Sequence, residues 1–160
     1  MKFFVIYDSV FGNTERIAQA IGSALEAQGE VEVQRVGQVN AAQLAGAQWV
    51  FVGSPTRGFN PTPATKDFLK SIPSRALSGV KVAAFDTRVA VEEVNSALLT
   101  NLVKVFGYAA KPIADRLQKK GGQLAAAPEG FFVEGSEGPL KAGELERAAD
   151  WAKQVVAAGL

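Results

Sequence analysis

The chain has 160 residues, 48% hydrophobic and 21% charged, an ordinary globular composition with enough apolar material for one full core. It contains neither cysteine nor histidine, which excludes disulfides, thiol nucleophiles, triad-type hydrolysis on histidine and zinc chemistry on thiolates or imidazoles. Any chemistry is therefore expected from a bound cofactor. The formal net charge of +1, with both signs scattered along the sequence, carries no nucleic-acid footprint.

Phe3 to Tyr7 is a short unbroken apolar run, the pattern of a strand buried on both faces of a parallel sheet. It is too short for a secretory signal and reaches Asp8 at once. No stretch approaches the ~20 apolar residues of a membrane span. A protein of the cytoplasm is expected, with no membrane partner. From Asn13 to Gln28, Ile17, Ile21 and Leu25 recur at helical spacing, and Gly29 supplies the stop. Val31, Val33 and Val36 suggest a second strand. Trp49 to Val52 reads as a third, closed by Gly53-Ser54-Pro55-Thr56. Thr65 to Ile72 predicts a short helix ending at Pro73, and Val80 to Phe85 a fourth strand.

The spacing of Val91, Val94, Leu98, Leu102 and Val105 predicts a further helix, a lid over a crevice or a partner surface. Pro112 fits the first turn of the next helix, which runs to Lys119-Lys120, cations at its negative end. Gln123 to Ala127 and Phe131 to Val133 read as an interrupted fifth strand, and Leu145 to Ala158 as a closing helix. Glu92-Glu93 and Glu144-Glu146 read as solvated helix faces; Trp49 and Trp151 read as packing. Strands alternating with helices imply an α/β fold: a parallel sheet covered on both faces, one domain over residues 1–160.

In such folds ligands bind outside the carboxyl ends of the strands. The segment Asp8-Ser9-Val10-Phe11-Gly12-Asn13-Thr14 lies there and opens the first helix, whose N-terminal amides suit a phosphate. A P-loop would need Gly-Lys-Ser/Thr, and a dinucleotide fingerprint needs three glycines; neither is present. The bland alternative is a capped helix start. The second loop, Gly53-Ser54-Pro55-Thr56-Arg57-Gly58-Phe59-Asn60, follows the strand that neighbours the first in the order 2-1-3-4-5.

Together the two loops resemble the flavodoxin-like family. Ser9, Gly12 and Thr14 match the family's phosphate loop, approximately T/S-x-T-G-x-T, and G-S-P-T borders the flavin ring in such proteins. The resemblance implies a three-layer sandwich with a five-stranded parallel sheet of order 2-1-3-4-5, FMN as the cofactor, and a redox partner protein or a small quinone as partner. It implies that Ser9, Val10, Phe11, Gly12, Asn13 and Thr14 hold the phosphate. Pro55, Thr56, Arg57, Gly58, Phe59 and Asn60 wall one side of the flavin, and a loop beginning Asp86-Thr87-Arg88 closes the other. Thr56 and Asn60 read equally as turn chemistry. Phe59 reads as a ring stacker or a residue tucked into the core, and Gly58 as the peptide that reorients beside the flavin.

Three departures stand out. Phe11 replaces the middle hydroxyl of the phosphate loop. No aromatic lies between Thr87 and Asn101. Arg57 and Arg88 bring cations where the family often keeps acids; each raises the potential of a reduced flavin, pairs with Asp86 or faces solvent. Near-neutral charge predicts docking that depends weakly on salt. The resulting expectation is an FMN-binding electron carrier. The alternatives are an NAD(P)H:quinone oxidoreductase of the same type, favoured by G-S-P-T-R, and a flavin-free binding module on the same fold.

Overall fold

The computed structural model describes residues 1–90 and 107–159. Apolar runs make the centre of the sheet. Strands β1 (Lys2–Tyr7), β2 (Glu30–Arg35), β3 (Trp49–Pro55) and β4 (Lys81–Val89) pair in parallel in the order β2-β1-β3-β4. Beyond β4 the outer strand comes in two pieces. β5 (Gln123–Leu124) pairs with Lys81 and Val82, and β6 (Glu129–Val133) pairs with Phe85 through Val89. The order 2-1-3-4-5 and the interrupted fifth strand agree with the sequence.

Helices α1 (Asn13–Leu25) and α4 (Glu144–Gly159) cover one face of the sheet, and α2 (Pro63–Ser71) and α3 (Ala110–Lys119) the other. Alternation along each strand feeds two cores. Phe3, Val5 and Phe51 face α1 and α4, whereas Phe4, Ile6, Val50 and Val52 face α2 and α3. Trp151 of α4 meets Phe51, Phe85 and Phe131 edge-on at 5.8–6.3 Å, a geometry aromatic quadrupoles favour. This assigns both tryptophans to packing, since Trp49 stacks between Phe3 and Phe51. Gly53 belongs to the same layer: a Cβ there would lie 2.1 Å from the Phe85 ring.

Several boundaries differ from those read in the sequence. The expected second strand stops at Arg35, and Val36 begins a short 3₁₀ turn. β3 continues through Pro55, and β4 continues through Asp86, Thr87 and Arg88 to Val89, in register with β3 at Ser54↔Asp86 and Pro55↔Thr87. Polar residues there suggested a loop. They sit in a strand because each finds a partner inside the fold: Asp86 takes Arg88 and the Ala110 N–H, and Thr87 takes Thr14. Glu144 is also corrected. It is 7% exposed, accepts the Phe132 N–H at 2.7 Å and pairs with Arg147 at 2.8 Å, so it joins α4 to β6 instead of facing solvent. The helix expected across Val91–Val105, with Glu92 and Glu93, lies outside the described residues. Among the described residues no helix is long and apolar enough to cross a membrane.

Candidate functional site

The carboxyl ends of β1, β3 and β4 border one cleft of about 360 Å³, within the size range of small-ligand pockets. Its first wall is the turn between β1 and α1. Asp8 organises that turn, accepting the Ser9 N–H at 2.9 Å and the Thr62 hydroxyl, while Arg35 grips the Asp8 carboxylate and the Ser9 carbonyl oxygen. Ser9 Oγ accepts the Gly12 N–H at 3.0 Å, and Gly12, at φ 92°, turns the chain into the helix. No side chain caps α1, so the N–H groups of its first turn face the cleft end of the helix without a capping acceptor. The bland reading of a capped helix start is thereby set aside. These amides and the positive end of the helix dipole suit an anionic group.

Beneath that turn, Thr14 is 1% exposed and its hydroxyl lies 2.8 Å from the Thr87 hydroxyl. Asn13 reaches across the mouth, its amide donating to the Glu137 carbonyl oxygen at 3.1 Å. The second wall is Pro55, Thr56, Arg57 and Gly58. Thr56 is fixed by its N–H to Thr87 O at 3.0 Å and by its hydroxyl, which accepts the Ala109 N–H at 3.1 Å. From Arg57 to Asn60 the chain folds back on itself through paired backbone hydrogen bonds of 2.8 and 3.0 Å. Gly58 and Phe59 take φ of 54° and 70° in that turn, the signature of a type I′ geometry. Arg57 sits over the Phe11 ring at 5.6 Å, so the two loops touch across the opening. Both Val10 and Phe11 are about half exposed there, at 51% and 46%.

The third wall is strand, not loop. Thr87, Arg88 and Val89 line the cleft from the end of β4. Arg88 grips the fully buried Asp86 through two bonds of 2.7 Å and stacks on Tyr108 at 3.7 Å. Burial pushes the Asp86 carboxyl above its ordinary value, against the pull of the Arg88 guanidinium and the Ala110 N–H. Of the open readings for Arg88, pairing with Asp86 is the one realised. Arg57 is exposed, with no ion pair among the described residues.

Of the residues expected at the site, Ser9, Val10, Phe11, Asn13, Thr14, Pro55, Thr56, Arg57, Gly58, Thr87 and Arg88 line this one cleft, and Gly12 forms its turn. Phe59 and Asn60 do not. Phe59 occupies the second central position of the I′ turn and is absent from the cleft lining, and Asn60 lines a separate groove with Pro61 and Lys66. The sequence reading missed Val133, at the end of β6, and Ser136, just beyond it, which also line the cleft; the glycine-rich run after Val133 was the signal for Ser136. It also missed Tyr108, an aromatic brought to Arg88 from well past the stretch that lacked one.

The family model for flavodoxin matches residues 5–151 of the chain. Among solved structures, oxidised flavodoxin 1 from Bacillus cereus superposes with a TM-score of 0.78 at 19% identity, covering 98% of both chains. A flavodoxin from the domain Archaea gives 0.74 at 23% identity over 98% of this chain and 99% of its own. Rubredoxin oxygen:oxidoreductase from the anaerobe Desulfovibrio gigas gives 0.72 at 21% identity, over 98% of this chain and 35% of its own. At these identities the structural likeness speaks to the fold.

Proposed function

The chain belongs to the flavodoxin family, and from that premise we propose that it is an electron carrier of the cytoplasm, a single domain that holds FMN in the cleft between the Ser9–Thr14 turn and the Pro55–Gly58 wall. FMN is the cofactor of this family. The observation that carries the reading is that the uncapped first turn of α1 and the wall after β3 border the same cleft of about 360 Å³. The donors there fit a phosphate: backbone amides at a helix N-terminus, the Ser9 hydroxyl and the Asn13 amide. When bound, FMN supplies the redox chemistry that a chain without cysteine or histidine lacks.

The residues of the chain then act by binding and orientation. The α1 amides neutralise the phosphate without a lysine, and Asp8 and Arg35 hold the turn that aims them. Thr14 and Thr87 fix the floor. Arg88 contributes little free charge to the cleft, because Asp86 balances it, whereas Arg57 leaves a cation at the mouth that favours an anionic reduced cofactor. The quinone-reductase alternative drew on G-S-P-T-R, but the first half of that motif is occupied structurally. Gly53 makes room for Phe85, and Ser54 accepts the Thr62 N–H at 3.0 Å to anchor α2. That supports the carrier over an enzyme with its own turnover.

Titrating the purified chain with FMN and following flavin fluorescence tests the reading. Stoichiometric quenching, together with reversible reduction of the bound flavin and no sustained NADPH-to-benzoquinone turnover, is the expected result. Free flavin fluorescence persisting at excess protein would reject it in favour of a flavin-free binding module.

A further inference from the structure

A second groove, of about 310 Å³, lies between α2 and α3; the Arg57–Asn60 turn connects it to the cleft, with Arg57 and Gly58 lining the cleft and Asn60 lining the groove. Its floor is apolar, made by Pro61, Leu69 and Pro112, and its sides carry Lys66, Lys70 and Arg116. All three cations are exposed, and none has a carboxylate partner among the described residues. The imbalance extends beyond the groove. The segments of α2 and of α3 through Lys120 hold six cations and two carboxylates, and one of each is spent in the Lys111–Asp115 pair. On the opposite face α1 and α4 hold four carboxylates and three cations. Among the described residues, the helices of a chain of net charge +1 are therefore polarised across the sheet, which a reading of scattered charges along the sequence conceals.

Helix ends explain part of this pattern. Lys70, Arg116 and Lys119 lie in last turns, where the dipole favours cations. Lys66 lies mid-helix, and the dipole does not account for it. Nor does it account for cations of two helices lining one apolar-floored groove beside the cleft.

We propose that the groove and its surrounding basic face are the docking surface for an acidic protein that exchanges electrons with this one; the exchange, though not the docking, rests on the electron-carrier reading. Charge complementarity selects the partner: carboxylates of its surface meet Lys66, Lys70 and Arg116, and an apolar side chain among them seats on Pro61, Leu69 and Pro112. A partner held there lies against the edge of the cofactor cleft, as short-range electron transfer requires. Docking is then steered by opposite charge and depends strongly on salt, contrary to what a net charge near zero predicts.

A strongly acidic [2Fe–2S] protein serves as the probe, added to the isotopically labelled chain without FMN at about 20 mM and about 200 mM salt, conditions that span weak and strong screening. Amide shifts are expected to cluster over residues 60–70 and 112–120, and the affinity to fall about tenfold or more at the higher salt. The triple variant Lys66→Glu, Lys70→Glu, Arg116→Glu should lose at least about tenfold in affinity, whereas Lys153→Glu on α4 should not. Equal affinity of the triple variant and the parent chain would overturn the proposal, as would shifts spread over both faces or the same shifts and affinity obtained with inorganic pyrophosphate alone. Stopped-flow reduction of the FMN-loaded chain by the same probe, added with its cluster already reduced so that one cluster is oxidised for each electron the flavin gains, separates the two readings. Docking without reduction leaves the surface standing and rejects the carrier; reduction at the parent rate in the triple variant rejects the surface and leaves the carrier.

Discussion

Thr14, in the first turn of α1, and Thr87, near the end of β4, share one hydrogen bond between hydroxyls 2.8 Å apart. Two hydroxyls bring two protons, and their mutual bond uses one, so one O–H remains to donate to an anion in the cleft. Thr14→Val strands the Thr87 hydroxyl in a buried setting and removes the shared donor. The expected cost is ~1–3 kcal/mol in urea-unfolding stability, and a similar loss in FMN binding by fluorescence titration. The double variant Thr14→Val, Thr87→Val should be more stable than the two single losses sum to, because neither partner is then left alone.

Among the described residues, removing Arg88 leaves the fully buried Asp86 carboxylate with the Ala110 N–H as its remaining partner. Arg88→Ala is expected to cost ~3–5 kcal/mol near neutral pH, and adding Asp86→Asn should restore much of it. The sign with pH follows from the raised carboxyl. Between its unfolded value, ~3.9, and its higher folded value, the native state holds the extra proton, so this group's contribution falls as pH rises through that window. Arg88→Ala should carry the window to higher pH, read as a midpoint of urea unfolding that keeps declining where the parent's has levelled.

Glu144 behaves oppositely. Burial alone pushes its carboxyl up, but the hydrogen bonds from Arg147 and the Phe132 N–H, with the charges of Arg147 and Lys141, outweigh it and hold the carboxyl below its ordinary value. Its stabilisation is present above the unfolded value, ~4.3, and is lost as pH falls through the folded one. Glu144→Gln should cost ~1.5–3 kcal/mol at pH ~7, and the difference from the parent should shrink in acid. Chemical denaturation at both pH values checks this.

Nothing lies within 4 Å of where a Cβ on Gly58 would stand, so the penalty for Gly58→Ala is purely one of backbone conformation at φ 54°. About 1 kcal/mol is expected, confined to the Arg57–Asn60 turn. Global stability should barely change, while FMN affinity falls several-fold. A variant that instead lowers the unfolding midpoint as much as Thr14→Val would show that the turn is part of the cooperative core.

The sequence makes the fold legible where pattern and burial coincide. The apolar runs of Phe3–Tyr7 and Trp49–Val52 are the two central strands, and Gly12 and Asn13 mark the turn into α1. The strand ends are less legible, since Asp86, Thr87 and Arg88 look like loop residues until their partners from α1 and α3 are known. The same limit hid Glu144, whose partner the Phe132 N–H belongs to β6, twelve residues earlier in the chain. Side-by-side motif residues also part company in space: Gly58 faces the cleft, yet Asn60, two positions on, borders the basic groove. Convergence of cations from α2 and α3 is a property of helix packing, which linear charge scatter does not encode.

The split outer strand has one practical outcome. Because β5 serves the start of β4 and β6 serves its end, residues 126–128 bridge the two without adding a rung to the ladder. Extra residues spliced in there, such as an affinity tag or a reporter peptide, should leave both halves paired and the molecule as resistant to denaturant as before. The sheet can be lengthened at its rim without being unzipped.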